Sequence, residues 1–228
     1  MDSVGKQDRI KGAIMGAIIG DALGLGPHWI YKPRELVAKF GPWIDNYMAV
    51  MPNPRFPAVW ESRKNLKPGD VSQTGQVYLL LLESVAGNGK YIEPDFTTRL
   101  DGLLDKLDGT SAGGRYTDEA MIDVWNARKE GVEWPYAGSY KDTSEAAMRT
   151  PIIAALHADD QNAALKTMIG NVALTHCDPV VVGQSTAFGM HVWMLINGIA
   201  MKDIQKYYSE HRKDFKIYFK AVSDWTEA

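Results

Sequence analysis

Cysteine is nearly absent. Cys177 is the only one in 228 residues, so no internal disulfide can brace the fold, and a reducing, cytoplasmic setting is the expectation. An excess of either charge is missing too. With 25 Lys and Arg against 28 Asp and Glu, the net charge is -3, which leaves no basic footprint for nucleic acid or an anionic membrane. The apolar run from Ala13 to Leu25 is broken by Asp21 and falls short of the ~20 residues that span a bilayer. No clean cleavage pattern follows it, so neither a membrane span nor a signal peptide is expected. Metal-ligand spacings such as Cys-x-x-Cys or His-Glu-x-x-His are lacking, and no glycine-rich turn leads into the Gly-Lys-Ser/Thr of a phosphate loop. Alternating apolar runs that would seed a sheet are lacking as well.

What is present reads as helix. The first runs from about Gln7 to Leu23, with Gly12, Gly16, Gly20 and Gly24 on one stripe. Each interior glycine costs roughly 1 kcal/mol relative to alanine, so close approach of a neighbouring backbone is the expected compensation. Pro33 to Phe40 reads as a short helix stopped by Gly41. Residues 41–69 hold Pro42, Pro52, Pro54, Pro57 and Pro68, which predict a long irregular loop packed down by Trp43, Tyr47, Phe56 and Trp60. From Asp70 the helical period returns, with Asp70 and Gln73 as a capping box and Val77, Leu80, Leu81 and Ser84 on one face. A stripe of Phe96, Leu100, Leu103, Leu104 and Leu107 follows, and then a helix from about Thr117 to Glu130. Asp142 to Glu145 reads as a second capping box, opening a helix towards His157 that Pro151 kinks. Gln161 to Leu174, Pro179 to Ile196 and the aromatic-rich Lys202 to Trp225 complete an all-α, multi-helix reading. No linker divides the chain, so one domain over residues 1–228 is expected.

Few side chains stand out for chemistry. His28 follows a Gly-Leu-Gly-Pro turn after the first helix, where it could act as acid, base or ligand, or serve the turn structurally. His176 lies between two helices and either reaches a pocket or bonds backbone groups at the junction. Its neighbour Cys177 is no nucleophile by virtue of adjacency. Asp118-Glu119 and Asp159-Asp160 read as helix-start acids placed by the macrodipole. Spacing alone stops at a helical domain with an irregular loop.

Five segments in order carry a resemblance. Gly16-Ala17-Ile18-Ile19-Gly20-Asp21-Ala22-Leu23-Gly24 resembles the opening signature of the ADP-ribosylglycohydrolase family. Pro27-His28-Trp29-Ile30-Tyr31 is similar to its crystallin J1-like, selenoprotein J-like branch. So are Gly113-Gly114-Arg115-Tyr116-Thr117 with Val124, Trp125 and Arg128, then Asp142-Thr143-Ser144-Glu145-Ala146, and Thr175-His176 with Pro179. The resemblance implies an all-α domain with a cleft formed by helix ends and loops. In active relatives, a Thr-Asp-Asp-Thr helix start and a later Asp-x-Asp-Thr element hold two magnesium ions, which position ADP-ribose for water attack.

Counting back from Glu83-Ser84 places the first of these elements on Ser72, Gln73, Thr74 and Gly75, with neutral residues where two aspartates belong. The branch's Tyr-Gly-Asp step is here Thr74-Gly75-Gln76, again without its acid. No second acidic element occurs before Ala228, so a chain lacking the C-terminal part of the family is the expectation. No magnesium ligand is assigned. Asp21, His28 and Ser72 are the cleft candidates, and Gln73, Thr74 and His176 the candidates for contact with ADP-ribose or an ADP-ribosylated substrate. Three readings follow: a glycohydrolase with a degenerate metal site, an inactive crystallin-like or nucleotide-sugar-binding protein, or an incomplete chain that exposes its terminal aromatics.

Overall fold

A computed structural model describes residues 4–52, 54–112 and 114–211. Among the described residues ten α-helices run in chain order: α1 (Lys6–Leu25), α2 (Pro33–Phe40), α3 (Pro57–Arg63), α4 (Gln73–Asn88), α5 (Glu93–Leu104), α6 (Glu119–Lys129), α7 (Thr150–Leu156), α8 (Gln161–Ala173), α9 (Pro179–Ile196) and α10 (Ile204–Glu210). Among the described residues there is no strand, and an isolated bridge between Ser139 and His176 is the only extended pairing. The all-α expectation therefore holds. Tyr207 and Tyr208 of the expected last helix fall within α10, while its remainder from residue 212 lies outside the described residues.

One hydrophobic core draws on α4 to α9, with α7, α8 and α9 packed on one another, α4 on α5, and α1 against α4, α7 and α9. Tyr78 and Leu81 of α4, Phe96 and Leu100 of α5, Val124 of α6, Ile153 of α7 and Met168 of α8 lose all contact with solvent. α9 is long and apolar enough, by length and composition, to cross a bilayer. Its Met190, Trp193, Met194 and Ile196 are instead buried against α7 and α8, which accounts for its composition by packing. Gly189 permits that approach: a Cβ there would stand 2.6 Å from Thr150 Cβ and 2.6 Å from Met168 Sδ.

Several local expectations are corrected. The Gly12, Gly16, Gly20 and Gly24 stripe receives no neighbouring backbone; a Cβ at any of them would meet nothing within 4 Å. Ile10, Ala13, Ile14, Ala17 and Ile18 do the packing on the other side of α1. Periodicity identifies a face but not which face the core receives.

The proline-rich stretch also holds a helix, α3, because Pro57 occupies its first turn, where a missing N–H costs nothing. Trp43 and Tyr47 do not pack that stretch down, being 83% and 44% exposed. Pro151 begins α7 rather than kinking a longer helix, since a 3-10 turn over Glu145–Arg149 precedes it. Neither expected capping box forms. Ser72 caps α4, accepting from the Gly75 amide at 3.1 Å, while Asp70 accepts from the Lys67 amide. Ser144 makes no side-chain cap.

Two predictions follow from this packing. Gly189→Ala will force Thr150 and α9 apart and lower stability by about 1–3 kcal/mol in urea denaturation, without loss of helical circular dichroism. His157 and His191, outside the cleft, both have their imidazoles held below the ordinary value of 6.5, chiefly by burial. The unfolded chain therefore takes up these protons first, so their contribution is complete above 6.5 and is lost as pH falls below it. The melting temperature of the double variant H157Q/H191Q will accordingly fall less than that of the parent on acidification from neutrality.

Candidate functional site

α1 ends against the beginning of α4. Asp21 projects from the last turns of α1, and its carboxylate accepts from the Ser72 amide at 2.8 Å and the Ser72 hydroxyl at 2.5 Å. A carboxylate at a helix N-terminus is favoured both by unsatisfied amides and by the positive end of the dipole. Gly75 makes the approach possible, because a Cβ at this position would lie 2.4 Å from Asp21 Oδ2 and 2.7 Å from Val71 Cβ.

The two helix ends open onto a cleft of about 250 Å³, lined on this side by Asp21, His28, Trp29, Arg63, Ser72, Gln73 and Thr74. The structure thus brings five of the six sequence candidates together at one cavity. The sixth, His176, borders a small inner recess that continues from it past Gln73 and Thr74.

Two guanidinium groups shape the cleft. Arg63, buried to 3% exposure, donates to the carbonyl of Leu25 at the end of α1. Arg115 donates to the carbonyl of Val71, just ahead of α4. Burial lowers the Arg63 pKa while Asp21 raises it, and the group remains a cation in the neutral range. His28 lies at the open edge. The surrounding walls, and then Arg63, hold its imidazole below the usual value, against Glu145 and Asp21, so the ring is neutral at pH 7.

An aromatic cluster stands at the mouth. The Trp29 ring meets Phe56 at 4.9 Å, Tyr116 at 5.0 Å and His28 at 5.1 Å between centroids. Trp29 and Tyr116 both adopt left-handed backbone conformations, with φ of 75° and 63°. That region is unfavourable for bulky side chains and is retained where the surroundings demand it.

The inner wall carries groups that sequence reasoning assigned only to helix starts. Asp118 does cap α6, accepting from the Met121 amide at 2.9 Å, yet it also lines both cavities. Glu145, expected in a capping box, turns into the cleft instead, with His176 Nε2 3.4 Å from its Oε2. His176 therefore reaches the cavity with its side chain rather than bonding backbone groups at the junction. Its Nδ1 rests 2.8 Å from Thr175 Oγ1.

Asp118 is pushed up from the usual carboxyl range by burial and then by the Glu145 charge. Burial acts on Glu145 in the same direction, but His176, Thr143 and its own backbone amide outweigh it and hold that group low. Cys177 stays out of the chemistry, its thiol donating to the Gly138 carbonyl at 3.0 Å and raised by burial. Glu145 lies inside a resembling segment and Asp118 directly follows one, so residue type there, rather than helix-start position, was the signal available.

An all-helical fold whose helix ends enclose a cleft lined by aromatic, guanidinium and carboxylate groups sets the class within which family comparison is informative. The ADP-ribosylglycohydrolase family matches residues 2–228, and the chain belongs to that family. No curated protein matches it.

Gly75→Ala tests the joint at the cleft floor. The added methyl will displace the Asp21 carboxylate from Ser72, costing about 1–3 kcal/mol in denaturant unfolding. Gly87→Ala, where a Cβ meets nothing within 4 Å, will not lower stability.

Proposed function

We propose that the chain is a hydrolase of the glycosidic bond to ADP-ribose, working in this cleft. Membership of the ADP-ribosylglycohydrolase family supports the reaction class. The observation that carries the reading to this cleft is the pairing of an aromatic mouth with cationic groups and an inner carboxylate–imidazole wall. Trp29 and Tyr116 offer faces on which a purine stacks. Arg115 and the first turn of α4 supply positive charge and backbone amides for a pyrophosphate. The ribose would then point inwards, towards Glu145, Asp118 and His176, where carboxylates can orient water and take up its proton.

The magnesium pair of active relatives does not fit the residues here. At the α4 start, Ser72 is occupied as a cap and as donor to Asp21, and Gln73 and Thr74 contribute no charge. Asp21 is the carboxylate bonded to this helix start, and both its oxygens already accept from Ser72, while Asp118 and Glu145 line the recess with His176. Neutral oxygens and one engaged carboxylate offset two dications poorly. We therefore read the magnesium site as degenerate. The same observation favours a second reading, in which the cleft binds a nucleotide sugar without cleaving it. The segments at Pro27 to Tyr31 and Asp142 to Ala146 support placement in the crystallin J1-like branch, and the single cysteine is compatible with a cytoplasmic setting.

Calorimetric titration with ADP-ribose tests both readings. Saturable binding is expected, weakened about tenfold or more in Trp29→Leu, because a stacked base is worth ~1–3 kcal/mol. Arg115→Gln will weaken it as well. Incubation with ADP-ribosylated peptides carrying arginine- or serine-linked ADP-ribose then separates the readings: release of free ADP-ribose supports the hydrolase, and binding without release supports the module. No binding at all overturns both.

A further inference from the structure

The inner recess that continues from the cleft gathers its carboxylate–imidazole wall into a compact constellation. One ligand atom each from Asp118, Glu145 and His176 lies within 4.8 Å of the others. Glu145 Oε2 and His176 Nε2 stand 3.4 Å apart, long for a charge-assisted hydrogen bond. That spacing is close to the ~3.3 Å edge of a tetrahedron with metal bonds of about 2.0–2.1 Å. The recess is about 10 Å³, enough for one ion or water and too small for a nucleotide fragment.

A second, independent observation comes from α4. Gln73 is buried to 4% exposure and borders the same recess. Its amide nitrogen donates to Thr117 Oγ1 at 3.2 Å, which fixes the side chain, while its Oε1 has no hydrogen-bond partner. A buried amide oxygen left in this way calls for a cation or a donor beside it.

We propose that Asp118, Glu145 and His176 form a mononuclear site for a borderline divalent ion of the zinc type, with Gln73 Oε1 beside its open position. The donor set selects the ion class. An imidazole nitrogen with two carboxylate oxygens suits zinc better than magnesium, which requires six oxygens and retains its waters. The Arg149 guanidinium borders the recess, so the excess charge is one negative rather than two, which further disfavours a hard ion held by charge alone.

The outer contacts are in place. Arg149 donates to Thr175 Oγ1 at 3.0 Å, and Thr175 Oγ1 meets His176 Nδ1. A hydroxyl accepting from Nδ1–H leaves the Nε2 lone pair facing the recess, the tautomer that a metal needs. Its three ligands lie outside the magnesium elements of active relatives, with which it shares Gln73, and its occupancy does not depend on the glycohydrolase reading.

Chelator-treated protein titrated calorimetrically with zinc chloride tests it. One equivalent is expected to bind, with magnesium chloride giving no comparable heat. Glu145→Gln and His176→Gln should each weaken zinc by about tenfold or more. Asp118→Asn keeps the α6 cap and should do the same, so that at least one variant stays folded, as judged by its metal-free melting curve. Cobalt substitution should give the visible absorption of a four-coordinate centre, lost in the same variants. Absence of saturable zinc binding overturns the proposal. So does binding that persists unchanged in Glu145→Gln and His176→Gln, which would put the ion elsewhere. ADP-ribose binding, followed in a separate calorimetric titration, reports on the glycohydrolase reading whichever way the metal result falls.

Discussion

The carboxylate of Asp21, seated on the first turn of α4, fixes the geometry of everything around the cleft. It joins helices more than fifty residues apart in sequence through two hydrogen bonds to one residue, Ser72. Ser72 in turn caps α4, so a single serine satisfies the helix start and receives α1. The Tyr78 hydroxyl reinforces the joint one turn later by donating to the Ile14 carbonyl at 2.8 Å. Because Arg63 and Arg115 anchor on the Leu25 and Val71 carbonyls, both guanidinium groups take their positions from the same two helix ends. Moving the joint would therefore shift the cleft's cations together with its floor.

The opposite wall depends on a buried cation. Arg149 is 2% exposed and would be costly without partners. It donates to the side-chain and backbone oxygens of Asn171 at 2.8 and 2.7 Å and to Thr175, tying the end of α8 to the 3-10 turn that carries Glu145. Burial lowers its pKa to about 10, so it remains charged at neutral pH. The Ser139 backbone holds the segment from its other side, donating to the Thr175 carbonyl and accepting from the Cys177 amide. His176 lies between these two restraints. Its orientation is a product of packing contributed by three separate parts of the chain: the 3-10 turn, the end of α8 and the Ser139 segment.

Helix content was legible because apolar spacing is local: Pro33–Phe40 and Pro179–Ile196 have the limits their prolines and apolar periods imply. The glycine stripe on α1 was misread because a face is defined by sequence but its partner is defined by tertiary packing. At the site, Asp21, His28, Ser72, Gln73 and Thr74 were reached through family resemblance and do meet at one cavity. Asp118 and Glu145 were hidden by a plausible local role. Asp118 performs that role and faces the cavity too, since capping uses one carboxylate oxygen and leaves the other available. Glu145 escapes its expected role because the segment begins as a 3-10 turn, whose tighter pitch rotates the side chain away from the amides it would have capped.

These two walls give the cleft a polarity. The α4 wall presents a helix N-terminus, Arg63 and Arg115, offset by one carboxylate that is already hydrogen-bonded. The facing wall concentrates Asp118 and Glu145 beside an imidazole. Aspartates at residues 73 and 74 would draw cations to the first wall; Gln73 and Thr74 leave it disposed towards anions instead. A diphosphate lying along α4 would thus avoid like-charge repulsion and would hold the attached sugar towards the acidic recess. With neutral residues at the helix start, the cavity's remaining carboxylates are concentrated on the other side, beside the His176 imidazole.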